Sequence, residues 1–210
     1  MKTIILVRHG ESETNVQKVF TGQIDAPLTP LGHRQAQLMA QYLDNYHIDK
    51  IYVSPLKRAV DTASALAQRQ HCPVEKKEAL KEIYAGVWQG LTFAEIAERY
   101  PATYQNWLGD FGNAMPEEGE SCQSLYQRVT VFMDKVLTER EETVCFVCHA
   151  TPIRMLESHI CGQSASAAQN ISWVPNASVT IYEYDGVFRC VKRGCCDYLG
   201  DLSTNLPQSI

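Results

Sequence analysis

No stretch of this chain approaches the ~18 consecutive apolar residues of a membrane-spanning helix. The opening Met1-Lys2-Thr3-Ile4-Ile5-Leu6-Val7-Arg8 has too short an apolar run for the core of a secretory signal peptide. The expectation is therefore a soluble, cytoplasmic protein with no membrane partner. An excess of positive charge is also missing. The formal net charge of −5 argues against a general nucleic-acid binder. It leaves room for an anion pocket, because a local cluster of Arg and His overrides net charge at short range. Internal repeats and low-complexity blocks are absent as well.

What is there is ordinary in bulk. The 210 residues, 45% apolar and 20% charged, suffice for one well-buried domain. The eight cysteines mostly sit inside apolar runs rather than at framework spacing, so free thiols are expected in a reducing compartment. The adjacent Cys195-Cys196 is read the same way.

Strand and helix signals alternate. Short β-branched or apolar runs at Thr3–Val7, Ile51–Val53 and Thr143–Cys148 read as strands. Val74–Leu80 is weaker and charged, which suits a sheet edge. Ala177–Tyr184 and Val187–Lys192 flank Asp185-Gly186, a hairpin turn signal. Thr29-Pro30 predicts a helix start by N-cap and first-turn proline, with the helix running to about Tyr46, and Thr151-Pro152 predicts another by the same logic. Further helices are expected from Ser54-Pro55 to about Gln70, at about 92–100 and over Ser121–Thr138. The pattern predicts an α/β fold: a three-layer α/β/α sandwich with a mainly parallel central sheet, an antiparallel edge hairpin and a small helical insertion. One domain over 1–210 is expected, with an inserted cap at about 83–120 and a loose polar tail at about 197–210.

In open α/β sheets, ligands bind beyond the carboxyl ends of the strands. Arg8, His9 and Gly10 follow the first strand, Ser54-Pro55 with Lys57 and Arg58 the second, Glu82 the third and His149 the fourth. Two arginines, two histidines and a glutamate on one rim make a set for an anion plus proton transfer. Arg presents a rigid donor fork that matches phosphate oxygens. A neutral imidazole held at one nitrogen can attack phosphorus with the other, and a second, protonated one can stabilise the transferring group. A carboxyl beside a phosphate dianion has a raised pKa and can shuttle a proton. Glu78 competes with Glu82 for that part, and Lys57 reads as a solvated neighbour of Arg58.

The segments "LVRHGESETN", "TGQIDAPLTPLGHRQA", "VSPLKRAVDTA", "LKEIYAGVWQG", "PEEGES" and "CHATPIRML", in this order, resemble the histidine phosphatase superfamily, also called phosphoglycerate mutase-like. The resemblance runs from Thr3 to about Tyr184 and implies its phosphatase branch. It implies His9 as phosphorylated nucleophile, Arg8, Arg58 and His149 as phosphoryl ligands, and Glu82 as general acid and base. It places Asn15, Thr21, Gly22 and Gln23 around phosphate and substrate. It implies no metal and no cofactor, and a small phosphorylated metabolite as partner. Oligomeric state stays open, a homodimer included. One departure is Ala150, where the family usually has glycine.

The implied activity is a metal-independent phosphomonoesterase. A phosphoglycerate mutase is the near rival, although 83–120 is short for one and carries Arg99 as its one basic residue. Trp88, Tyr104, Trp107 and Phe111 are candidates either for a cleft lining or for core. His33, His47, His71 and His159 have no partner pattern and read as surface or packing residues, and Glu117, Glu118 and Glu120 read as a solvated acidic loop. A different class is suggested by "VCFVCHATP" at 144–152, whose C-x-x-C-H fits haem attachment, a redox pair or half a zinc site. On a strand, however, Cys145 and Cys148 point to opposite faces and cannot share a ligand. A non-catalytic phospho-ligand binder is a third class, against which both histidines and Glu82 speak.

Overall fold

Alternating burial along two central strands organises this structure, a computed structural model that describes residues 1–204. Strand β1 (Lys2–Arg8) sends Ile4 and Leu6 to one face and Ile5 and Val7 to the other, all buried. The short helix α1 (Glu13–Val16) follows, then α2 (Pro30–Tyr42), β2 (Lys50–Val53), α3 (Lys57–Gln70) and β3 (Val74–Lys76). The middle of the chain holds α4 (Phe93–Arg99) and α5 (Pro101–Gly109). Helix α6 (Cys122–Leu137), β4 (Thr143–Cys148), α7 (Ala150–Ile160), β5 (Val179–Tyr184) and β6 (Phe188–Cys195) complete it.

The six strands form one sheet in the order β3-β2-β4-β1-β5-β6. Strands β3, β2, β4 and β1 run parallel, whereas β5 lies antiparallel to β1 and β6 antiparallel to β5. One face packs on α2 and α3 through Met39, Ala40, Ala59, Ala63 and Leu66. The other packs on α6 and α7 through Leu125, Val129, Met133 and Leu156. This is the expected three-layer sandwich, and each face buries side chains that β-strand alternation assigns to it.

Four expectations need correction. The third strand stops at Lys76, and Glu78–Leu80 turns as a 3₁₀ helix, so Glu82 reaches the rim through a turn rather than directly off a strand. The charged, poorly apolar sequence after Val74 cannot hold a longer edge strand. Helix α7 begins at Ala150 with His149 as N-cap, not Thr151. A proline is tolerated throughout the first helical turn, so it marks the start only to within a turn. The cap segment contains a second helix, α5, with Pro101 in its first turn. Trp88, Ile96, Trp107 and Phe111 from this segment share one core with α6 and α7.

The tail is the fourth. Asp197–Leu202 forms a helical turn with Leu199 buried against the α2–α3 face. Tyr198 stacks on Tyr42 with ring centroids 4.4 Å apart and donates to the Ala177 carbonyl. Gln35 Nε2 donates to the Leu202 carbonyl at 2.7 Å, so residues 197–204 are anchored. Overall polarity hid two docking side chains. The remainder of the expected tail, 205–210, lies outside the described residues. Among the described residues, no helix is long and apolar enough to cross a membrane.

Cys145 and Cys148 lie fully buried in the two different cores, one on each face of the sheet. Burial pushes the Cys148 thiol up to about 12 and that of Cys145 well above its ordinary value. A thiol reagent is therefore expected to modify exposed Cys161 and Cys190 in the native protein while Cys122, Cys145 and Cys148 react only after unfolding. Rapid native labelling of Cys145 or Cys148, followed by peptide mass analysis, would contradict this placement.

Candidate active site

Residues from four parts of the chain meet where β1, β2 and β4 end. The register pairs Arg8 with Cys148 and Val53 with Val147, so these parallel strands finish at one level. Past that level lies an open-mouthed cleft. Arg8, His9, Asn15, Thr21, Gly22, Arg58 and Glu82 line it.

His9 is fixed at one ring nitrogen. Its Nδ1 lies 2.7 Å from the Gly10 carbonyl, which only an Nδ1–H can satisfy, so Nε2 is left with its lone pair. Arg58 Nε points at that lone pair from 3.3 Å. The His9 backbone is held as firmly: its amide donates to the Cys148 carbonyl, and its carbonyl accepts from Ala177 N and Asn176 Nδ2. Gly10 passes so close to α2 that a Cβ there would sit 2.5 Å from the Gly32 carbonyl oxygen. No larger residue fits that approach.

The arginines are buried and anchored by carbonyls. Arg8 Nη1 donates to Val174 O at 2.6 Å, leaving its buried Nε without a protein partner. Arg58, 1% exposed, donates to Ile24 O and Gly22 O at 2.7 and 2.8 Å and so holds the 22–24 loop. Burial draws both guanidinium pKa values down to about 10, partly offset by Glu82. Both stay cationic at neutral pH.

His149 does not line the cleft itself. It lies fully buried behind His9, with ring centroids 5.1 Å apart. Its Nε2 shares a 2.7 Å hydrogen bond with the Ser54 hydroxyl, and its Nδ1 is buried without a protein partner. Burial first, then the Arg58 charge, hold both imidazoles well below the usual histidine range. In the unliganded site His149 is therefore neutral, not protonated as expected. A dianion in the cleft supplies the opposite charge that favours protonation.

Glu82, rather than Glu78, reaches the cleft. Glu78 is largely exposed and paired with Lys81. The Glu82 carboxylate accepts from Ile83 N at 2.8 Å and from Thr151 N, in the first turn of α7, at 3.4 Å. Its backbone carbonyl accepts from Gln23 Nε2 at 2.9 Å and Arg128 Nη2 at 3.1 Å. Gln23 thus lies behind the cleft as a support for Glu82, not among its lining residues. Arg128 is in turn gripped by both carboxylate oxygens of Glu120 at 2.7 and 2.8 Å. The acidic loop is solvated at Glu117 and Glu118, but Glu120 is structural.

Sequence reasoning missed Thr151, Trp173, Phe93, Phe20 and Val19, which also line the cleft. Thr151 was legible in the "CHATP" segment; the apolar residues carry no local signal of exposure to a ligand. Of the four aromatic candidates, Trp107 lines the cleft, while Trp88, Tyr104 and Phe111 are core. Ala150 is a lining residue at the first position of α7, where alanine is an ordinary helix former. Among the described residues, no group of three or more His, Cys, Asp or Glu side chains is placed to hold a metal ion.

A model of the histidine phosphatase superfamily (branch 1) matches residues 4–194. The chain belongs to that superfamily. The histidine phosphatase is 36% identical over 167 residues to phosphoserine phosphatase 1 of Hydrogenobacter thermophilus, covering 79% of each chain. It is 35% identical over 166 residues to a 2,3-bisphosphoglycerate-dependent phosphoglycerate mutase of Cytophaga hutchinsonii, covering 76% of this chain and 78% of that one. The solved structure of a mycobacterial glucosyl-3-phosphoglycerate phosphatase complexed with VO3 matches with a TM-score of 0.86 at 26% identity, over 93% of this chain and all of that one. The enzyme class of this histidine phosphatase is phosphoric monoester hydrolase.

The depressed imidazole pKa values of this histidine phosphatase carry a pH signature. Below about 6.5 the unfolded chain takes up protons on His9 and His149 that the folded, unliganded protein refuses. Stability is thus fully present above about 6.5 and falls as pH drops below it. Melting temperature is expected to decline between about pH 6.5 and 5, above the main carboxylate range, and His149→Gln is expected to flatten that slope. An unchanged slope in the variant would count against a neutral buried His149.

Proposed function

We propose that the protein hydrolyses the phosphomonoester of a small metabolite, without a metal, through a phosphohistidine on His9. The observation that carries this reading is the Nδ1 contact of His9 with the Gly10 carbonyl, which leaves Nε2 unprotonated beside two buried guanidiniums. His9 Nε2 attacks phosphorus in line, forming the P–N bond as the P–O ester bond breaks. Arg8 and Arg58 stabilise the charge on the phosphoryl oxygens, and the buried Arg8 Nε is a donor with no competing protein bond. His149, behind His9 with its Nδ1 unpartnered, adds positive charge once the dianion favours its protonation. Glu82 gives its proton to the leaving alkoxide. It then takes one from a water that attacks phosphorus and breaks the P–N bond, releasing inorganic phosphate. Asn15, Thr21 and Gly22 flank the substrate, and Gln23 and Arg128 position Glu82.

A mutase would run the same first step and pass the phosphoryl group to a second hydroxyl. The resemblance to a phosphoglycerate mutase keeps that reading in view. Against it stands Arg99, the one basic residue of the cap, which pairs with Glu95 on the exposed side of α4 instead of entering the cleft.

Hydrolysis of a generic aryl phosphate in excess chelator is expected, with His9→Ala reduced to background. Glu82→Gln is expected to lose roughly 10²–10⁴ in kcat on alkyl phosphates and less on aryl phosphates, whose leaving groups need little proton donation. Alkaline denaturing quench during turnover is expected to trap a base-stable, acid-labile phosphoprotein that His9→Ala lacks. Equal activity of wild type and His9→Ala would overturn the mechanism, and loss of activity with chelator would overturn its metal independence.

A further inference from the structure

The cleft has two unlike halves. Its fixed cations, Arg8 and Arg58, lie together at the strand ends, each tied to loop carbonyls. Its apolar wall is made by Val19, Phe20, Phe93, Trp107 and Trp173. Among the described residues, no lysine and no third arginine lines the cleft. Two nearby arginines are committed elsewhere. Arg128 lies behind Glu82, bound to Glu120 and to the Ala79 and Glu82 carbonyls. Arg99 pairs with Glu95.

The aromatic wall is built rather than incidental. Phe20 meets Phe93 and Trp107 edge to face, with centroids 5.9 and 5.3 Å apart. Its backbone is pinned on both sides, its amide donating to Leu91 O and its carbonyl accepting from Gly90 N. Trp107 continues through Phe111 to Trp173, at 4.7 and 6.5 Å. Behind that pair, the buried Arg154 guanidinium sits 4.4 Å from the Phe111 ring centroid and 4.1 Å from that of Trp173. Arg154 also donates to the carbonyls of Ala168, Gln169 and Ile171, so it staples the Trp173 segment to the cap. The wall is thus rigid before any ligand arrives, which lowers the cost of binding a flat apolar group.

We infer that the preferred substrate is the phosphomonoester of an aromatic or other apolar, uncharged alcohol, with Trp107, Trp173, Phe20 and Phe93 receiving the alcohol. This rests on the hydrolase reading above and specifies its leaving group. The phosphate takes both fixed cations. A carboxylate on the alcohol would be pressed against aromatic rings with no lining cation beside them, and burying an unpaired charge is costly. The same wall disfavours phosphoglycerates and phosphoserine as substrates of this protein.

Two matched pairs separate the leaving group's charge from its reactivity: benzyl phosphate against 4-carboxybenzyl phosphate, and glycerol 3-phosphate against 3-phosphoglycerate. In each pair the uncharged member is expected to show at least about tenfold higher kcat/KM. Benzyl phosphate is expected to exceed glycerol 3-phosphate by a similar factor. Trp173→Leu is expected to raise KM for benzyl phosphate about tenfold and to change glycerol 3-phosphate hydrolysis less than about twofold. Phe93→Arg, which puts a cation into the wall, is expected to shift both pairs toward the carboxylate. Equal or better use of the carboxylate members by wild type overturns the inference and leaves the hydrolase intact. If none of the four is hydrolysed above the His9→Ala background, the hydrolase reading falls and takes the inference with it.

Discussion

Two guanidinium groups and two imidazoles are held out of water at one end of a sheet, and the rest of the molecule is arranged around that electrostatic cost. Arg8 and Arg58 are both nearly fully buried, with Glu82 as the carboxylate that offsets them. A buried cation without a partner is strongly unfavourable. The protein spreads that cost over carbonyl dipoles: Val174 O on Arg8, and Gly22 O and Ile24 O on Arg58. The histidines respond differently because they can give up their protons. Burial and the guanidinium charges keep them neutral, which is the state a nucleophilic imidazole needs. The same desolvation therefore leaves a neutral imidazole beside two fixed cations.

Topology supplies the positions. Placing β4 between β2 and β1, all parallel, brings His9, Ser54 and His149 to one level although they are far apart in sequence. The antiparallel β5 then returns the chain beside β1, so that Val174, Asn176 and Ala177 sit where they can hold Arg8 and His9. The cap contributes from the other side: Gln89 accepts from Gln23 N, and Gln23 supports Glu82. None of these supports touches the cleft contents directly. Each fixes a group that does, which is how a rigid sheet converts packing into catalytic geometry.

The sequence was most legible where one physical rule acts alone. Alternation identified β1 and β4, and the same rule separated Cys145 from Cys148 and so removed the haem and zinc readings of their spacing. His9, Arg8 and Arg58 could be placed because they follow strands whose ends a parallel sheet must align. Legibility failed where a residue's role is set by a distant partner. Glu120 looked like a solvated acid because nothing local reveals that Arg128 lies within its reach. Tyr198 and Leu199 looked like tail because their polar neighbours outweighed them. Trp173 carried no signal at all, since its place in the cleft wall depends on Arg154 and Phe111 from two other elements.

That asymmetry has a physical origin. Groups that handle the phosphoryl dianion must be charged or titratable, and such side chains are few and tied to strand ends, so they stand out in a sequence. Groups suited to an apolar alcohol are themselves apolar, and apolar residues are the default filling of any core. Phe111 and Trp107 touch each other in one aromatic chain, yet only Trp107 faces the cleft. Residue type cannot distinguish them, because burial against protein and burial against a ligand obey the same hydrophobic term. Proteins similar to this chain carry names for different substrates, such as phosphoserine and glucosyl-3-phosphoglycerate. The cradle is constrained by charge, whereas the wall can be redrawn by substitutions that each cost the fold little so long as the cap stays packed.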